Sequence, residues 1–225
     1  MARVRAERGF DANLRAGPQM FEYEAIADRI ARDRPERVLD WGCGWGQVAH
    51  LMKLRGLDVR AFDYRPDVAE PGLYPLERYP DIEAWMGEDL PYEDGEFDAV
   101  LSCGVLEHVH DPDASMADIR RILRPGGRFY VYKLPNRFSY LEWVARRAGL
   151  YYHGMEPDDR IYDRRSAEAL MRRHGFEVRE FRRANMLPLT TGGARGVWVA
   201  NRWLGRAPVL NLLSTNLELL AVRQG

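Results

Sequence analysis

Asp40 sits two residues ahead of three glycines spaced by two, in Val38-Leu39-Asp40-Trp41-Gly42-Cys43-Gly44-Trp45-Gly46-Gln47. An apolar run, a glycine turn and then Val48, Ala49, Leu51 and Met52 read as strand, tight turn and helix. Glycines let a backbone turn sharply and approach a ligand closely. The helix start offers unpaired N–H groups beside it. Gly44-x-Gly46-x-x-Ala49 formally fits a dinucleotide fingerprint, so the glycines leave the ligand open. The Asp40 carboxylate would repel a diphosphate and suit a ligand carrying an ammonium group. The competing reading of Asp40 is a turn cap that accepts backbone N–H groups.

Other residues with chemical potential fall at the ends of apolar runs. Val59-Arg60-Ala61-Phe62-Asp63 ends in an acid, Ile82–Met86 is followed by Glu88 and Asp89, and Phe97–Cys103 ends in a cysteine. These runs alternate with helical spacing, as at Met116, Ile119, Ile122 and Leu123, so the chain reads as α/β with a parallel sheet and helices on both faces. Such sheets bind ligands outside the carboxyl ends of their strands, where Asp40, Asp63, Glu88, Asp89 and Cys103 converge.

The elements that must position these residues follow in order. Residues 1–18 are charged, with Gly9, Gly17 and Pro18, and read as loosely ordered or as a lid. Helices are expected over about 19–32, 46–55, 114–123, 138–148, 166–174 and 197–204. Strands are expected at 38–41, 59–63, 82–86, 97–103, 128–134, 176–181 and 216–223, with the fifth starting after Pro125-Gly126-Gly127. Residues 64–80 hold four prolines and read mostly as loop.

Composition bounds the function. The 225 residues are most simply one domain; 46% hydrophobic and 30% charged residues are ordinary for a soluble globular chain. A net charge of −1 gives no field favouring nucleic acid or membrane. Cys43 and Cys103 make no disulfide framework and no zinc spacing, and no metal site is expected. The charged N-terminus lacks a signal-peptide core and no apolar run approaches the ~18 residues of a membrane span, so a cytoplasmic location is expected.

With these residues in place the chain resembles the class I S-adenosylmethionine (SAM)-dependent methyltransferases of the small-molecule type. The resemblance rests on Asp40-x-Gly42-x-Gly44-x-Gly46, on Asp63, and on Asp89-Leu90-Pro91-Tyr92 with Gly95-x-Phe97-Asp98-Ala99-Val100. Leu106-Glu107-His108-Val109 and Leu123-Arg124-Pro125-Gly126-Gly127 extend it. It implies a Rossmann-like, doubly wound seven-stranded sheet of order 3-2-1-4-5-7-6 with strand seven antiparallel. It divides the chain into an N-terminal helix or lid (1–35), a SAM-binding core (36–134) and acceptor-side insertions (135–165 and 184–212). It also implies SAM, whose ammonium would face Asp40 and the Cys103 carbonyl. Gly42, Cys43, Gly44, Gly46 and Gln47 would border its methionine part. Asp63 would accept from the ribose hydroxyls and Tyr64 could stack on the adenine. Asp89 would accept from the adenine amino group with Glu88 as its competitor, while the Leu90 N–H reaches a ring nitrogen. His108 would line the cofactor or be structural.

Methyl transfer needs nucleophile, methyl and sulfur in line, and a hydroxyl acceptor needs a base. His153 and His110 are the candidates, with Glu156 behind them. Lys133 and Asn136 face the expected acceptor side, under a roof containing Phe21, Tyr23, Phe138, Tyr140, Trp143, Tyr151, Tyr152, Trp198 and Trp203. The reading is a methyltransferase acting on a small organic acceptor, at oxygen. A nicotinamide-dependent oxidoreductase and a non-catalytic SAM-binding protein are the alternatives.

Overall fold

A computed structural model of the chain describes residues 11–12, 14–15, 17, 19–64, 82–85, 89–150, 159–187, 194–205 and 209–225. The elements are α1 (Met20–Arg32), β1 (Arg37–Trp41), α2 (Gln47–Leu54), β2 (Asp58–Tyr64), β3 (Ile82–Trp85), β4 (Phe97–Cys103), α3 (Pro112–Ile122), β5 (Leu123–Pro135), α4 (Tyr140–Arg147), α5 (Arg164–Arg173), β6 (Phe176–Ala184), α6 (Ala194–Leu204) and β7 (Asn216–Arg223), with a 3-10 turn at Leu210–Leu213. They form one seven-stranded sheet of order β3-β2-β1-β4-β5-β7-β6. β1 to β5 run parallel, and β7 runs antiparallel to both β5 and β6. The alternation of strand and helix segments forces this arrangement, because parallel neighbours need a crossover between them.

Strand side chains alternate between two packed layers. On β1, Leu39 and Trp41 join Met116, Ile119 and Ile122 of α3 and Leu170 and Met171 of α5. Val38 joins Ile26 and Ile30 of α1 and Leu51 and Met52 of α2. Asp40, two residues after Val38, therefore faces the α1–α2 layer. β5 keeps the same rhythm, with Phe129 and Val131 in the α3–α5 layer and Tyr130 and Tyr132 in the other.

The rhythm breaks at Lys133. Leu134 packs in the α3–α5 layer although strict alternation puts it opposite. The β5–β7 register shifts between Val131 and Leu134, and Lys133 has a positive φ of 61°. This is a β-bulge that turns Lys133 toward α1. β5 also begins five residues earlier than Arg128. Leu123 pairs with Phe97 before a register shift, so the Pro125-Gly126-Gly127 stretch interrupts the ladder without ending it.

α3 starts where the sequence signals it. The Asp111 side chain accepts from the Asp113 and Ala114 N–H groups, with Pro112 at the first helical position. Asp98 fixes the far end of the sheet, accepting the Arg37 N–H at 2.7 Å and pairing with Arg124 at 2.6 Å.

Candidate active site

The glycine turn leaves β1 with Gly42 and Gly44 at φ of 68° and 56°, conformations that side-chain-bearing residues rarely adopt. A Cβ on Gly42 would meet the Val105 methyls at 2.5 Å, so the turn packs directly on the loop after β4. A Cβ on Gly44 would meet nothing within 4 Å, so that position lies against open space and is glycine for its backbone alone. The turn is tied to β2 by the Cys43 N–H to the Phe62 carbonyl (2.9 Å) and the Gly44 N–H to Asp63 Oδ2 (2.5 Å). Gly46 takes the left-handed N-cap position of α2 without any side-chain cap, and Gln47 opens the helix. Of the first α2 N–H groups, that of Ala49 is taken by the Asp40 carboxylate, which fits the turn-cap reading of that residue, and no N-cap side chain covers the others.

Asp40 is buried, and its Oδ2 has no hydrogen-bond partner among the described residues. Burial pushes its carboxyl up to about 7, against a backbone hydrogen bond from Ala49 that favours ionisation; the nearby Asp63 charge adds to the rise. An orphaned carboxylate oxygen beside a glycine turn and an open helix start fits a ligand with a cationic group and hydrogen-bond acceptors. The methionine portion of SAM has both, so the residues present fit that molecule.

Tyr64 is exposed at the end of β2, with its ring 5.0 Å from Phe62 in an edge contact, and presents a surface on which a flat base could stack. Asp89 is exposed nearby; the Tyr64 hydroxyl is raised mainly by burial, with the Asp118 and then the Asp89 charge adding to it. Leu90 departs from its expected role. It is buried, and its N–H donates to the Asp118 carboxylate, a residue one turn before the end of α3. Arg121 donates to both the Leu90 carbonyl and Asp118, so this loop is clamped to α3. Glu88 and His153, together with Tyr151, Tyr152 and Glu156, lie outside the described residues.

The β4 and β5 ends meet at Gly104, whose Cβ would lie 3.7 Å from Glu107 Oε1 and 3.9 Å from Lys133 Cβ. Cys103 closes β4; burial pushes its thiol well above the usual range, which removes it as a nucleophile. Lys133 Nζ donates to Gln19 Oε1, lies 3.4 Å from the Tyr23 hydroxyl and 3.5 Å from Glu22 Oε2. Burial alone would push the Lys133 ammonium down, but the Glu22 charge and its other neighbours outweigh it and hold the group charged. Asn136 is buried and structural, donating to the carbonyls of Leu212 (2.9 Å) and Ser214 (2.6 Å) rather than facing an acceptor.

His108 lies on this same edge with its ring half-exposed. Its Nδ1 is 2.8 Å from Asp159 Oδ1, whose side chain is buried, and its Nε2 faces Glu107 Oε1 at 3.9 Å. His110 is exposed after the same loop, its carbonyl held by Arg160. Neither Asp159 nor Glu22 stands out in the sequence. Asp159 follows an insertion with no periodicity, and Glu22 looks like an ordinary acid in the first turn of an amphipathic helix.

Among the described residues of the expected aromatic roof, Tyr23 sits against Lys133 and the others are dispersed. A cavity of roughly 990 Å³ lies between α1, α6 and the β7–β6 half of the sheet; Phe21 and Trp198, 6.1 Å apart, line it together with Glu22, Arg29, Arg182 and Glu218. None of Asp40–Gln47 lines it, and it reaches the β5 edge through Glu22. It is thus distinct from the glycine turn and the strand ends beside it. Phe138, Trp143 and Trp203 point to solvent.

The methyltransferase-domain family matches residues 18–180. A ubiquinone biosynthesis O-methyltransferase of Xanthomonas oryzae pv. oryzae is 39% identical over 121 residues, covering 49% of this chain and 51% of that protein. A demethylmenaquinone methyltransferase of Renibacterium salmoninarum is 31% identical over 129 residues, covering 54% and 53%. The chain spans about half the length of these curated relatives. Among solved structures, a SAM-dependent methyltransferase of Thermotoga maritima, a possible histamine N-methyltransferase, superposes with a TM-score of 0.61 at 19% identity, over 98% of this chain and 96% of that one. A 1,6-didemethyltoxoflavin-N1-methyltransferase of Burkholderia thailandensis, solved with its substrate and S-adenosylhomocysteine, gives 0.56 at 20% identity, over 91% and 77%. At these identities the structural likeness is one of fold.

Proposed function

The chain belongs to the methyltransferase-domain family, and on that premise we propose that it transfers a methyl group from SAM to an oxygen of a small organic acceptor. When bound, SAM supplies a methyl on a sulfonium, a carbon already activated by a good leaving group. The chain's own residues supply position and proton transfer.

Asp40 and the Cys103 carbonyl hold the ammonium, and the Gly42–Gly46 backbone with the α2 start holds the carboxylate. Asp63 accepts from the ribose; in the ligand-free geometry its Oδ2 is on the Gly44 N–H, so the turn and the ribose share one carboxylate. Tyr64 stacks on the adenine and Asp89 accepts from its amino group. The acceptor lies over the β4 and β5 ends, between Lys133 and His108.

The observation that carries an oxygen acceptor is the His108–Asp159 pair at 2.8 Å. With Nδ1–H donated to the buried Asp159 carboxylate, the proton-accepting position of the ring is Nε2. It removes the acceptor hydroxyl proton as the oxygen bonds to the methyl, and Asp159 stabilises the resulting imidazolium. The name of the Xanthomonas relative, an O-methyltransferase, supports the same choice. This gives His108, expected from the sequence to line the cofactor or be structural, the role for which His153 and His110 are the sequence candidates.

Incubation with methyl-labelled SAM and a panel of phenols, catechols, carboxylates and amines tests the proposal. Labelled O-methyl products from the hydroxyl compounds are expected, read by mass spectrometry. Labelling of the amines alone would overturn the oxygen acceptor.

A further inference from the structure

Two segments leave the sheet at the edge that carries Lys133. Pro135 at the end of β5 pairs with Asn216 at the start of β7, and Ala184 at the end of β6 pairs with the same residue. Residues 136–150 follow β5 and residues up to 215 precede β7, so both emerge on one side. They are bonded together there. Asn136 holds the Leu212 and Ser214 carbonyls, and Asn211 donates to the Gly205 carbonyl just past α6.

What these joined segments show to solvent is apolar. None of α4 is buried. Trp143 is 60% exposed, Leu150 61%, Trp203 67% and Val209 75%, with Leu210 and Leu213 beside them. Monomer surfaces rarely gather this many large apolar side chains in one place. The charge on the same face is one-sided. Arg146, Arg147 and Arg195 are exposed there against a single acid, Glu142, while Arg137 reaches Asp163 at 4.0 Å and Arg202 stacks on the Trp198 ring beside the cavity; the chain's 33 basic and 34 acidic residues otherwise nearly cancel. Arg147 lies over the Trp143 ring at 4.8 Å, which pairs a cation with an aromatic of interfacial character. Among the described residues no helix is long and apolar enough to cross a membrane. Tryptophan and leucine flanked by arginine, on short elements, is the pattern of a surface that lies in a bilayer interface rather than spanning it.

We propose that this face, formed by α4, the Leu210–Leu213 turn and the end of α6, seats the protein on a bilayer surface bearing anionic headgroups. The arginines meet the headgroups, while Trp143, Trp203 and the leucines enter the acyl boundary. The methyl-transfer edge then faces the lipid, since both segments rise from it. The docking stands on the surface alone and does not depend on which atom is methylated.

Co-sedimentation of the full chain with phosphatidylcholine vesicles, with and without about a third phosphatidylglycerol, tests it. Binding to the anionic vesicles, at least tenfold stronger than to the neutral ones and weakened by salt, is expected. The double variant Trp143→Ser, Trp203→Ser should lose at least tenfold in partitioning while its SAM affinity, measured alongside as a check of fold, stays at the wild-type value. Arg146→Glu with Arg147→Glu should abolish the preference for anionic lipid with the tryptophans intact. Failure to bind either vesicle, or equal binding by wild type and both variants, would overturn the proposal. So would a dimer in solution that the tryptophan variant dissociates without any vesicle binding, which would make the face an interface between copies.

Discussion

Asp40 carries two opposed consequences. Its carboxyl is raised from 3.8 to about 7 by burial, so the folded ligand-free protein holds a proton that the unfolded chain releases. The stability it contributes is full below about pH 4 and is lost as pH rises through 7. Glu218, also raised to about 7 by burial, acts with the same sign. Asp40→Asn removes the buried charge, so its melting temperature should exceed wild type by more at pH 8 than at pH 5, read by calorimetry without ligand. The same substitution removes the ammonium's partner, so SAM affinity should fall by about tenfold or more, as expected for a buried charge-assisted contact. Wild-type affinity should itself rise from pH 6 to 8, because the bound cation requires the ionised carboxylate. His108→Ala should lower kcat about 10²–10⁴-fold with SAM affinity unchanged, the range for loss of a general base. Asp159→Asn should give a smaller loss of the same kind. An unchanged kcat in both variants would remove the pair from the chemistry.

The elements were readable where periodicity is regular. β4 and β7 fall at their expected bounds because an apolar run between turn signals leaves little freedom. The β5 bulge was not readable. A lysine after the four apolar residues Phe129–Tyr132 reads as a strand end facing the acceptor side, yet its left-handed φ swings it onto α1. Such conformations persist only where surrounding contacts hold them, and Gln19, Glu22 and Tyr23 do so here. Lys133→Met strands the Glu22 charge in a buried setting and should cost about 3 kcal/mol. Adding Glu22→Gln should recover most of that, since the double variant buries no unpaired charge; denaturant unfolding of the four proteins gives the coupling. Leu90 illustrates a second limit. Its expected backbone contact with a ligand is displaced by Asp118, a carboxylate brought near from 28 residues away by the α3 crossover.

Across the whole molecule, the alternating pattern announced a parallel α/β sheet and the resemblance implied its strand order, which the observed sheet matches strand for strand. The placement of Asp40, Asp63 and Cys103 at neighbouring strand ends was legible because chain order and space coincide there. The segments expected on the acceptor side, 1–35, 135–165 and 184–212, could be named from the sequence, but which of their side chains meet could not, because contacts such as Lys133 with Glu22 and Asn136 with Ser214 join residues far apart in the chain. Asn136 is the junction between the last two segments. Asn136→Ala leaves two carbonyls without their donor and should cost about 2–3 kcal/mol, a fall of roughly 4–12 °C in melting temperature for a chain of this size. Vesicle binding should weaken with it if the joined face is what docks.

The central claim is that the turn after Asp40 holds SAM. Calorimetric titration of the full chain with SAM and, separately, with NAD tests it most directly. One-to-one binding of SAM with a dissociation constant on the order of micromolar, reduced in Asp63→Ala, and no heat from NAD is predicted. Binding of NAD without SAM would contradict it.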